Sequence, residues 1–402
     1  MASRDTARRA LPELGVGLIG YAFMGSAHSQ AWRNAGRFFD LPMSVRMTAL
    51  CGRSREHVAA AASRLGWSSY ETDWKQLLER DDIQLVDVCT PGGSHAEIAL
   101  AALEAGKHVI CEKPLANTVA EACAMAGAAR SAARRGIRSM VGFNYRRLPA
   151  ATFARDLVAR GKLGTIRHVR AQYLQDWIVD PDFPLVWRLR AEEAGSGALG
   201  DIGTHIIDLT QFITGQRITG VSGLTETFVK DRPLPAASSG LSATVGAAER
   251  GPVTVDDAAL FLARLEAGAV ATFEATRFAT GRKNQLRIEV NGERGSLVFD
   301  VERLNELQYL DATEDPAVQG FRRIMVTEPS HPYAAAWWPP GHALGYEHSF
   351  VHEVKDFVEA LGVGEDPSPS FTDGLQVQLV LDAVQRSAAS RGQWTLVEGS
   401  AS

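Results

Sequence analysis

Apolar and polar positions along the first third of the chain predict repeated strand–helix units. Short apolar runs predict strands at 14–19, 45–51, 85–90, 108–111 and 138–142. Each of the first four strands is followed by a longer segment with helical periodicity, at 25–35, 55–65, 94–105 and 117–135. This β-α-β-α order is typical of a doubly wound α/β domain with a parallel sheet.

After residue 149 the pattern changes to one that predicts a mostly antiparallel sheet. A helix over 150–160 precedes strand-like segments at 166–175, 218–228, 258–265, 269–276, 285–291 and 296–300. Short turns such as 266–268 and 292–295 join several of them, as in β-hairpins. The Ala-, Ser- and Gly-rich segment 236–254 is predicted to be an exposed loop. Helices are expected near 347–361 and 373–390.

Length and composition indicate a globular protein with two domains, which we place at 1–148 and 149–402. The chain has 402 residues, of which 45% are hydrophobic and 22% charged. Its 42 basic and 47 acidic residues give a net charge of −5, so no nucleic-acid or membrane partner is expected. Residues 1 to about 12 are predicted to be a mobile tail.

The cysteines and the N-terminus favour a cytoplasmic location. Cys51, Cys89, Cys111 and Cys123 lie in or beside apolar segments without metal-ligand spacing, which predicts reduced thiols and no metal site. No uncharged apolar stretch reaches the roughly 18 residues of a membrane span. The run 14–24 after two arginines resembles an export signal, but cleavage there would remove a predicted strand and turn.

A glycine-rich turn after the first predicted strand indicates a dinucleotide site. The segment 20–25 fits G-x-G-x-x-G, except that Ala22 replaces the middle glycine. Gly20 permits the tight turn, the small Ala22 allows backbone to approach a pyrophosphate, and Gly25 permits close helix packing. Phe23 and Met24 lie at the helix start, where backbone N–H groups face phosphates.

The end of the second predicted strand leaves the choice between NAD and NADP open. Gly52, Arg53 and Ser54 stand where a carboxylate for the NAD ribose would be expected. Arg53 and Ser54 could hold a 2′-phosphate, which would favour NADP. Alternatively, Arg53 stacks on the adenine and the cofactor is NAD.

Two distant motifs supply an amine, a carboxylate and an imidazole that fit oxidation of a hydroxyl group. Lys113 follows a strand at its carboxyl end, where doubly wound sheets bind ligands, and could stabilise an alkoxide. Asp201 and His205 are spaced i, i+4, so they are neighbours on a helical face. His205 could accept the hydroxyl proton, and Asp201 could orient either the substrate or the imidazole.

Taken together, these motifs resemble the glucose–fructose oxidoreductase / inositol dehydrogenase / rhizopine catabolism (Gfo/Idh/MocA) family over nearly the whole chain. The segments that carry this resemblance are the G-x-A-x-x-G turn, Thr90-Pro91, 112–114, 144–146 and 201–205. The resemblance implies an N-terminal Rossmann domain, a C-terminal α/β domain with a large open sheet, and a homodimer or homotetramer formed through that sheet. It also implies catalytic roles for Lys113, Asp201 and His205.

The resemblance also implies further contacts. Those to the cofactor are expected from Thr90, Pro91, His95, Glu112, Asn144, Trp187 and Arg188, and those to the substrate from Tyr145, Asp176, Trp177 and Thr204. Trp177 could cover the C–H bonds of a sugar ring or could belong to a core or interface. The Trp337-Trp338 segment could cover the site or form a subunit contact.

Within the family, the segments 173–177, 187–188 and 331–333 are most similar to levoglucosan dehydrogenases, which use NAD. We therefore expect an NAD(P)-dependent dehydrogenase that oxidises a secondary hydroxyl of a sugar, anhydrosugar, glucoside or cyclitol to the ketone. The alternatives are an inositol dehydrogenase, a non-catalytic dinucleotide-binding sensor, and an NAD-dependent glycoside-cleaving enzyme.

Overall fold

The computed structural model describes residues 11–239 and 242–398. Of the tail predicted over residues 1 to about 12, all but the last two residues lie outside this range. Among the described residues, no helix combines the length and the apolar character needed to cross a bilayer.

The first part of the chain forms a six-stranded parallel sheet, which confirms the predicted doubly wound fold. Its strand order is β3-β2-β1-β4-β5-β6. The strands are β1 (Glu13–Ile19), β2 (Ser44–Cys51), β3 (Ser69–Glu71), β4 (Leu85–Val88), β5 (His108–Glu112) and β6 (Ser139–Gly142). The helices are α1 (Phe23–Phe38), α2 (Arg55–Leu65), α3 (Trp74–Leu78), α4 (His95–Glu104) and α5 (Val119–Ala133). The sequence analysis missed the short β3 and α3.

Local sequence explains where these elements begin and end. The central strands are buried on both faces, as the full burial of Val16, Leu18 and Val86 shows, and this accounts for their continuous apolar runs. Thr118 starts α5 with a capping box that Glu121 completes. Strand β1 lies between β2 and β4 and runs parallel to both, and the order of the strands reverses beside it. Doubly wound sheets bind ligands at the carboxyl ends of the strands at such a point.

The second part forms a nine-stranded, mostly antiparallel sheet in the order β16-β15-β14-β13-β7-β12-β11-β8-β17. Its strands are β7 (Ile166–Leu174), β8 (Ile218–Glu226), β11 (Ala258–Leu265), β12 (Val270–Thr276), β13 (Gln285–Gly292), β14 (Gly295–Asp300), β15 (Glu306–Asp311), β16 (Arg322–Met325) and β17 (Thr395–Leu396). Within the described strands of this second sheet, β7 and β12 pair in parallel and the other neighbours pair antiparallel. Helices α6 (Pro149–Ala159), α7 (Ala191–Ala194) and α8 (Thr204–Thr214) belong to the same part.

The predicted loop over 236–254 is wrong where the structure describes this segment, because most of those residues lie in two paired strands; residues 240 and 241 lie outside the described residues. Strands β9 (Asp231–Ser239) and β10 (Ser242–Pro252) pair antiparallel in a two-stranded sheet of their own. The Ala/Ser/Gly composition hides this, since the pairing comes from the neighbouring strand rather than from residue propensity. Arg232 anchors the hairpin, since its buried guanidinium donates to the carbonyl oxygens of Ile178, Asp180 and Phe183.

The last two helices return to the first sheet. Helix α9 (His348–Val363) packs against α1, where Phe350 and Phe357 share a core with Trp32. Helix α10 (Phe371–Ala389) packs on α5 and on β8. The division at residue 148 stays a prediction, because these late elements contribute to cores on both sides of it.

Candidate active site

A cavity of about 460 Å³ lies between the carboxyl edge of the parallel sheet and the second sheet. It is lined by most of the residues that the sequence analysis selected. Those are Ala22, Phe23, Met24, Thr90, Pro91, His95, Glu112, Lys113, Asn144, Tyr145, Trp177, Trp187, Arg188, Asp201 and His205. Segments more than 170 residues apart in the sequence therefore meet in one cleft.

The turn after β1 has the backbone geometry that the glycine pattern predicts. Gly20 has φ +99°, and a Cβ there would lie 2.7 Å from the carbonyl oxygen of Cys89. A Cβ on Gly25 would lie 2.0 Å from the carbonyl oxygen of Gly20. Ala22 has φ −74° and caps α1 without a side-chain hydrogen bond. The free N–H groups at this helix start fit a pyrophosphate, so the turn fits a dinucleotide.

The residues at the end of β2 do not line the cavity. A Cβ on Gly52 would lie 2.0 Å from the ring of Tyr21, so this glycine makes room for that ring. Ser54 is the N-cap of α2 and accepts from the backbone N–H of His57. Arg53 is exposed, and its contact with a 2′-phosphate or an adenine stays a prediction.

His95 lines the cavity, but both of its ring nitrogens contact backbone carbonyl oxygens. Its Nδ1 lies 2.9 Å from the carbonyl oxygen of Pro114, and its Nε2 lies 2.8 Å from that of Thr90. Burial lowers the pKa of His95 despite both carbonyl contacts. The imidazole thereby joins the loop after β4 to the loop that follows Lys113, and both loops line the cleft.

Lys113 and Asp201 are in direct contact. The Lys113 ammonium donates to the backbone oxygen of Asp201 at 2.8 Å and lies 3.5 Å from its carboxylate. Asp201 belongs to a π-turn, Leu199–Gly203, which runs directly into α8. Such turns disturb the regular backbone hydrogen bonding of a helix and are frequent at functional sites.

The carboxylate of Asp201 is surrounded by cations. Its Oδ2 lies 3.5 Å from the guanidinium of Arg277, which is itself buried. Burial alone would raise the pKa of Asp201. The positive charges of Lys113, Arg188 and Arg277 outweigh this effect and lower the pKa to about 2. Asp201 is therefore ionised across the physiological range and holds Lys113 from one side.

His205 is a buried, neutral imidazole beside the ammonium. Burial lowers its pKa well below the usual range, and the charge of Lys113 lowers it further, against the opposing effect of Asp201. Its ring packs on that of Tyr145, with the centroids 4.7 Å apart. A neutral imidazole that lines a cleft next to an ammonium is suited to accept a proton.

A chain of hydrogen bonds forms the wall opposite the glycine turn. The hydroxyls of Tyr145 and Tyr173 lie 2.8 Å apart. Asn284 Oδ1 accepts from the Tyr173 hydroxyl and from the Gln175 amide, each at 2.8 Å. The indole N–H of Trp177 donates to Gln175 at 3.0 Å. All five side chains line the cavity, so it offers both amide and aromatic surfaces.

Two predicted substrate residues do not line the cavity. Thr204 is fully buried, and its hydroxyl has no hydrogen-bond partner among the described residues, so its contact with substrate stays a prediction. Asp176 points away as well, since its carboxylate binds the Lys283 ammonium at 2.9 Å and the Gly281 N–H at 2.9 Å. Asp176 thus holds Lys283, which does line the cavity.

The sequence analysis missed several residues of the cleft. These are Asn117, Tyr173, Gln175, Lys283, Asn284 and Tyr346. Tyr173 is one of the buried residues that alternate along β7, and Gln175 follows the end of this strand, so the period-2 pattern was the available signal. Asn284, Lys283 and Tyr346 come from loops that no motif marks. Gly197, which precedes the π-turn, has the backbone of Asp256 against it, since a Cβ there would lie 1.7 Å from the Asp256 carbonyl oxygen.

One cluster in the described residues has the composition of a metal site, namely His28, Asp87 and Cys89. Its geometry is that of a hydrogen-bond network. The Cys89 thiol donates to Asp87 at 3.5 Å, and burial raises the pKa of this thiol, so the thiolate that a metal requires is disfavoured.

Comparisons with known proteins agree with this geometry. Residues 14–143 match the family model described as "Oxidoreductase family, NAD-binding Rossmann fold", and residues 152–298 match the "GFO/IDH/MocA C-terminal domain". The chain is 43% identical to levoglucosan dehydrogenase of Pseudarthrobacter phenanthrenivorans, over 94% of this chain and 97% of that protein.

Two solved structures are also similar. An oxidoreductase domain protein from Kribbella flavida is 68% identical, with a TM-score of 0.92 over 96% of this chain and 100% of that one. A levoglucosan dehydrogenase in complex with NADH and levoglucosan is 42% identical, with a TM-score of 0.89 over 96% and 100% of the two chains. The chain therefore belongs to the Gfo/Idh/MocA family of NAD-dependent oxidoreductases, which act on CH–OH groups.

Proposed function

We propose that this protein oxidises a secondary hydroxyl of a sugar or anhydrosugar to the ketone with NAD, and that levoglucosan is the first substrate to test. The observation that carries the proposal is the meeting of Lys113, Asp201 and His205 in one cleft that also contains the dinucleotide turn. The relation to levoglucosan dehydrogenase supports the choice of substrate.

Lys113 is the residue proposed to polarise the reacting hydroxyl and to stabilise the charge on its oxygen. Its ammonium lies in the cleft, held by the backbone oxygen of Asp201 at 2.8 Å and by the carboxylate at 3.5 Å. This leaves a donor of the ammonium for the reacting hydroxyl, since an ammonium has three N–H groups. A cation fixed in a partly buried site stabilises the negative charge that develops on that oxygen.

His205 is the proposed general base. Its low pKa keeps the imidazole neutral at physiological pH, so a nitrogen is available to take the hydroxyl proton. Burial against Tyr145 fixes the ring. Asp201 is the proposed positioning group, because its carboxylate contacts both Lys113 and Arg277.

The residues present fit a nicotinamide dinucleotide. When bound, its nicotinamide ring supplies the hydride acceptor. The N–H groups at the start of α1 would hold the pyrophosphate, and the cavity-lining Thr90, Pro91 and Glu112 would contact the nicotinamide end. We favour NAD over NADP, because the hydroxyl of Ser54 already caps α2 and structures of levoglucosan dehydrogenase contain NADH.

The amide and aromatic wall is the proposed sugar site. Asn284 and Gln175 present polar atoms held by their mutual hydrogen bond, and such groups bind sugar hydroxyls. Trp177 gives a flat apolar surface for ring C–H bonds. Both kinds of surface are needed to hold a compact polyol, which has hydroxyls and C–H bonds on different faces.

A coenzyme-reduction screen tests the proposal. The purified protein is incubated with NAD+ or NADP+ and with levoglucosan, a methyl glucoside or an inositol, and absorbance at 340 nm is followed. We expect the highest kcat/KM with levoglucosan or a related anhydrosugar and NAD+. Absence of reduction with every polyol, despite binding of NADH, would contradict it, and preferential use of an inositol would change the substrate assignment.

We also propose that the protein is a cytoplasmic homo-oligomer that associates through the open face of the nine-stranded sheet. Leu224, Leu260, Leu262 and Val270 are exposed on that face, and Leu224 and Leu260 are paired across β8 and β11. Contiguous apolar patches of this kind mark interaction sites. Size-exclusion chromatography with light scattering tests it, and a monomer at micromolar concentration would contradict it.

A further inference from the structure

A buried histidine lies directly behind the residue that precedes Lys113. His28 is on α1, one turn after the dinucleotide turn, and is 2% exposed. Its Nδ1 lies 2.9 Å from the Asp87 carboxylate, and its Nε2 lies 2.9 Å from Oε1 of Glu112. Both ring nitrogens therefore face carboxylates, in a site that water does not reach.

This geometry favours an imidazolium. A neutral imidazole donates only one hydrogen bond, so its second nitrogen would face a carboxylate with a lone pair. The doubly protonated ring donates to both carboxylates, and such charge-assisted bonds are the strong ones. Burial alone would lower the pKa of His28. The interactions with Asp87 and Cys89 outweigh this effect, so the pKa of His28 lies well above its ordinary value.

The rest of the cluster is arranged around these two bonds. Asp87 also accepts from the indole N–H of Trp32 at 2.7 Å. The carboxylate of Glu112 packs against Gly142, where an added Cβ would lie 3.0 Å from Glu112 Oε1. The titratable side chains that face His28 are Asp87, Cys89, Glu112, Tyr346 and Glu353.

Glu112 connects His28 to Lys113 through its two carboxylate oxygens. Its Oε1 accepts from His28, and its Oε2 accepts the backbone N–H of Lys113 at 3.0 Å. The carboxylate thus fixes the peptide from which the Lys113 side chain starts. A misplacement of about 1 Å at a reacting group can cost roughly 100-fold in rate.

We propose that His28 is a positioning residue, which as an imidazolium holds Glu112 and through it sets the position of Lys113. This inference rests on the proposed role of Lys113 in the dehydrogenase reaction. It concerns a group that touches neither substrate nor cofactor, so its removal should change kcat while leaving the binding of both largely unchanged.

Two variants separate the two hydrogen bonds of His28. The amide nitrogen of asparagine falls near the position of Nδ1, and that of glutamine near Nε2. His28→Asn should therefore keep the donor to Asp87 and lose the one to Glu112, lowering kcat by about 10- to 100-fold. His28→Gln should keep the donor to Glu112 and retain kcat within about threefold. KM and the Kd for NADH should change by less than about threefold in both.

Trp32→Phe is the control within the same cluster. It removes a hydrogen bond to Asp87 but leaves the His28–Glu112 contact, so it should lower the thermal midpoint and leave kcat within about twofold. Equal losses of kcat in both His28 variants, or a loss in Trp32→Phe as large as in His28→Asn, would overturn the proposal and indicate a general packing role.

A measurement without substrate tests the charge state itself. The protein labelled with ¹⁵N-histidine is studied by NMR at pH 7, and the His28 signals are assigned by their loss in His28→Gln. We expect both ring nitrogens of His28 to carry a proton. A neutral tautomer would overturn the proposal even if the enzyme is active, and an imidazolium in an inactive protein would leave it standing while the proposed function fails.

Discussion

The two walls of the active-site cleft are built in different ways. The dinucleotide wall consists mainly of backbone, namely a glycine turn, a helix start and the ends of parallel strands, each of which is encoded by a few consecutive residues. The opposite wall consists of side chains from β7, the π-turn and the loop before β13, which tertiary packing brings together. The first wall is therefore generic to nicotinamide dinucleotides, and the second can determine which hydroxyl is oxidised.

The largest expected effect concerns the residue at which the two walls meet. Lys113→Ala should lower kcat by about 100-fold or more, because the reacting oxygen loses the cation that the proposal places beside it. The Kd for NADH, measured by fluorescence, should change by less than about threefold, since the backbone of the turn is intact. Lys162→Ala, an exposed lysine, is the control. Near-normal turnover of Lys113→Ala would contradict the proposed role.

The dinucleotide wall is tested by a pair of glycines in one helix. Gly25→Ala should weaken NADH binding by about tenfold or more, because the new Cβ would lie 2.0 Å from a backbone oxygen and must displace the turn. Gly36→Ala adds the same methyl where the nearest atom is 3.8 Å away. It should stabilise α1 by about 0.5–1 kcal/mol and leave NADH binding unchanged.

If both glycine variants bind NADH equally well, the turn does not hold the pyrophosphate. Equilibrium unfolding in urea gives the stabilities for the same two proteins, and fluorescence titration gives their affinities. The comparison is informative because the substitution is identical and only its surroundings differ.

The substrate wall is tested by removing its shared acceptor. Asn284→Ala should raise KM for the sugar by about fivefold or more, because Tyr173 and Gln175 both lose the oxygen that orients them. NADH affinity should be unchanged. Steady-state kinetics with a sugar that reacts in the coenzyme screen measures the effect, and an equal loss of NADH affinity would show that the two walls are not separable.

A smaller effect, on stability, comes from a buried acid beneath the dinucleotide wall. Burial raises the pKa of Glu353 to about 8, and the nearby Glu112 also raises it, against the effect of His28. The unfolded chain releases this proton near pH 4.5, so folding takes up a proton between these values and stability falls as pH rises from about 5 to 8.

Glu353→Gln should remove this dependence, because an amide does not ionise. The variant should match the wild type near pH 5 and exceed its free energy of unfolding by roughly 2–4 kcal/mol at pH 8. Urea unfolding across this range measures it, with the exposed Glu365→Gln as control. Parallel curves for Glu353→Gln and wild type would mean that Glu353 is ionised in the folded protein.

The two walls also differ in how far sequence predicts them. The turn at Gly20 and Gly25 and the place of Lys113 at a strand end could be predicted, because short-range patterns such as a strand, a turn and a helix start determine their positions. Asp201 and His205 were found because they lie four residues apart. All of these signals are local, and so is the alternation that predicts the parallel sheet.

The substrate wall could be predicted only in part, because its partners depend on strand register. Asn284 reaches Tyr173 only because β7 and β13 are paired antiparallel, with Leu286 opposite Tyr173, and no short segment encodes this. The family resemblance placed Thr204 at the substrate, but its side chain is fully buried in the structure. The hairpin of β9 and β10 was missed for the same reason, since pairing and not composition forms it.

The most direct test of the account is a crystal structure of the protein with NADH and the sugar that reacts in the coenzyme screen. The account predicts one sugar hydroxyl at about 3 Å from both the Lys113 ammonium and a ring nitrogen of His205. It also predicts that Asn284 or Gln175 contacts a different hydroxyl. A sugar whose hydroxyls all lie beyond hydrogen-bond distance of Lys113 and His205 would contradict it.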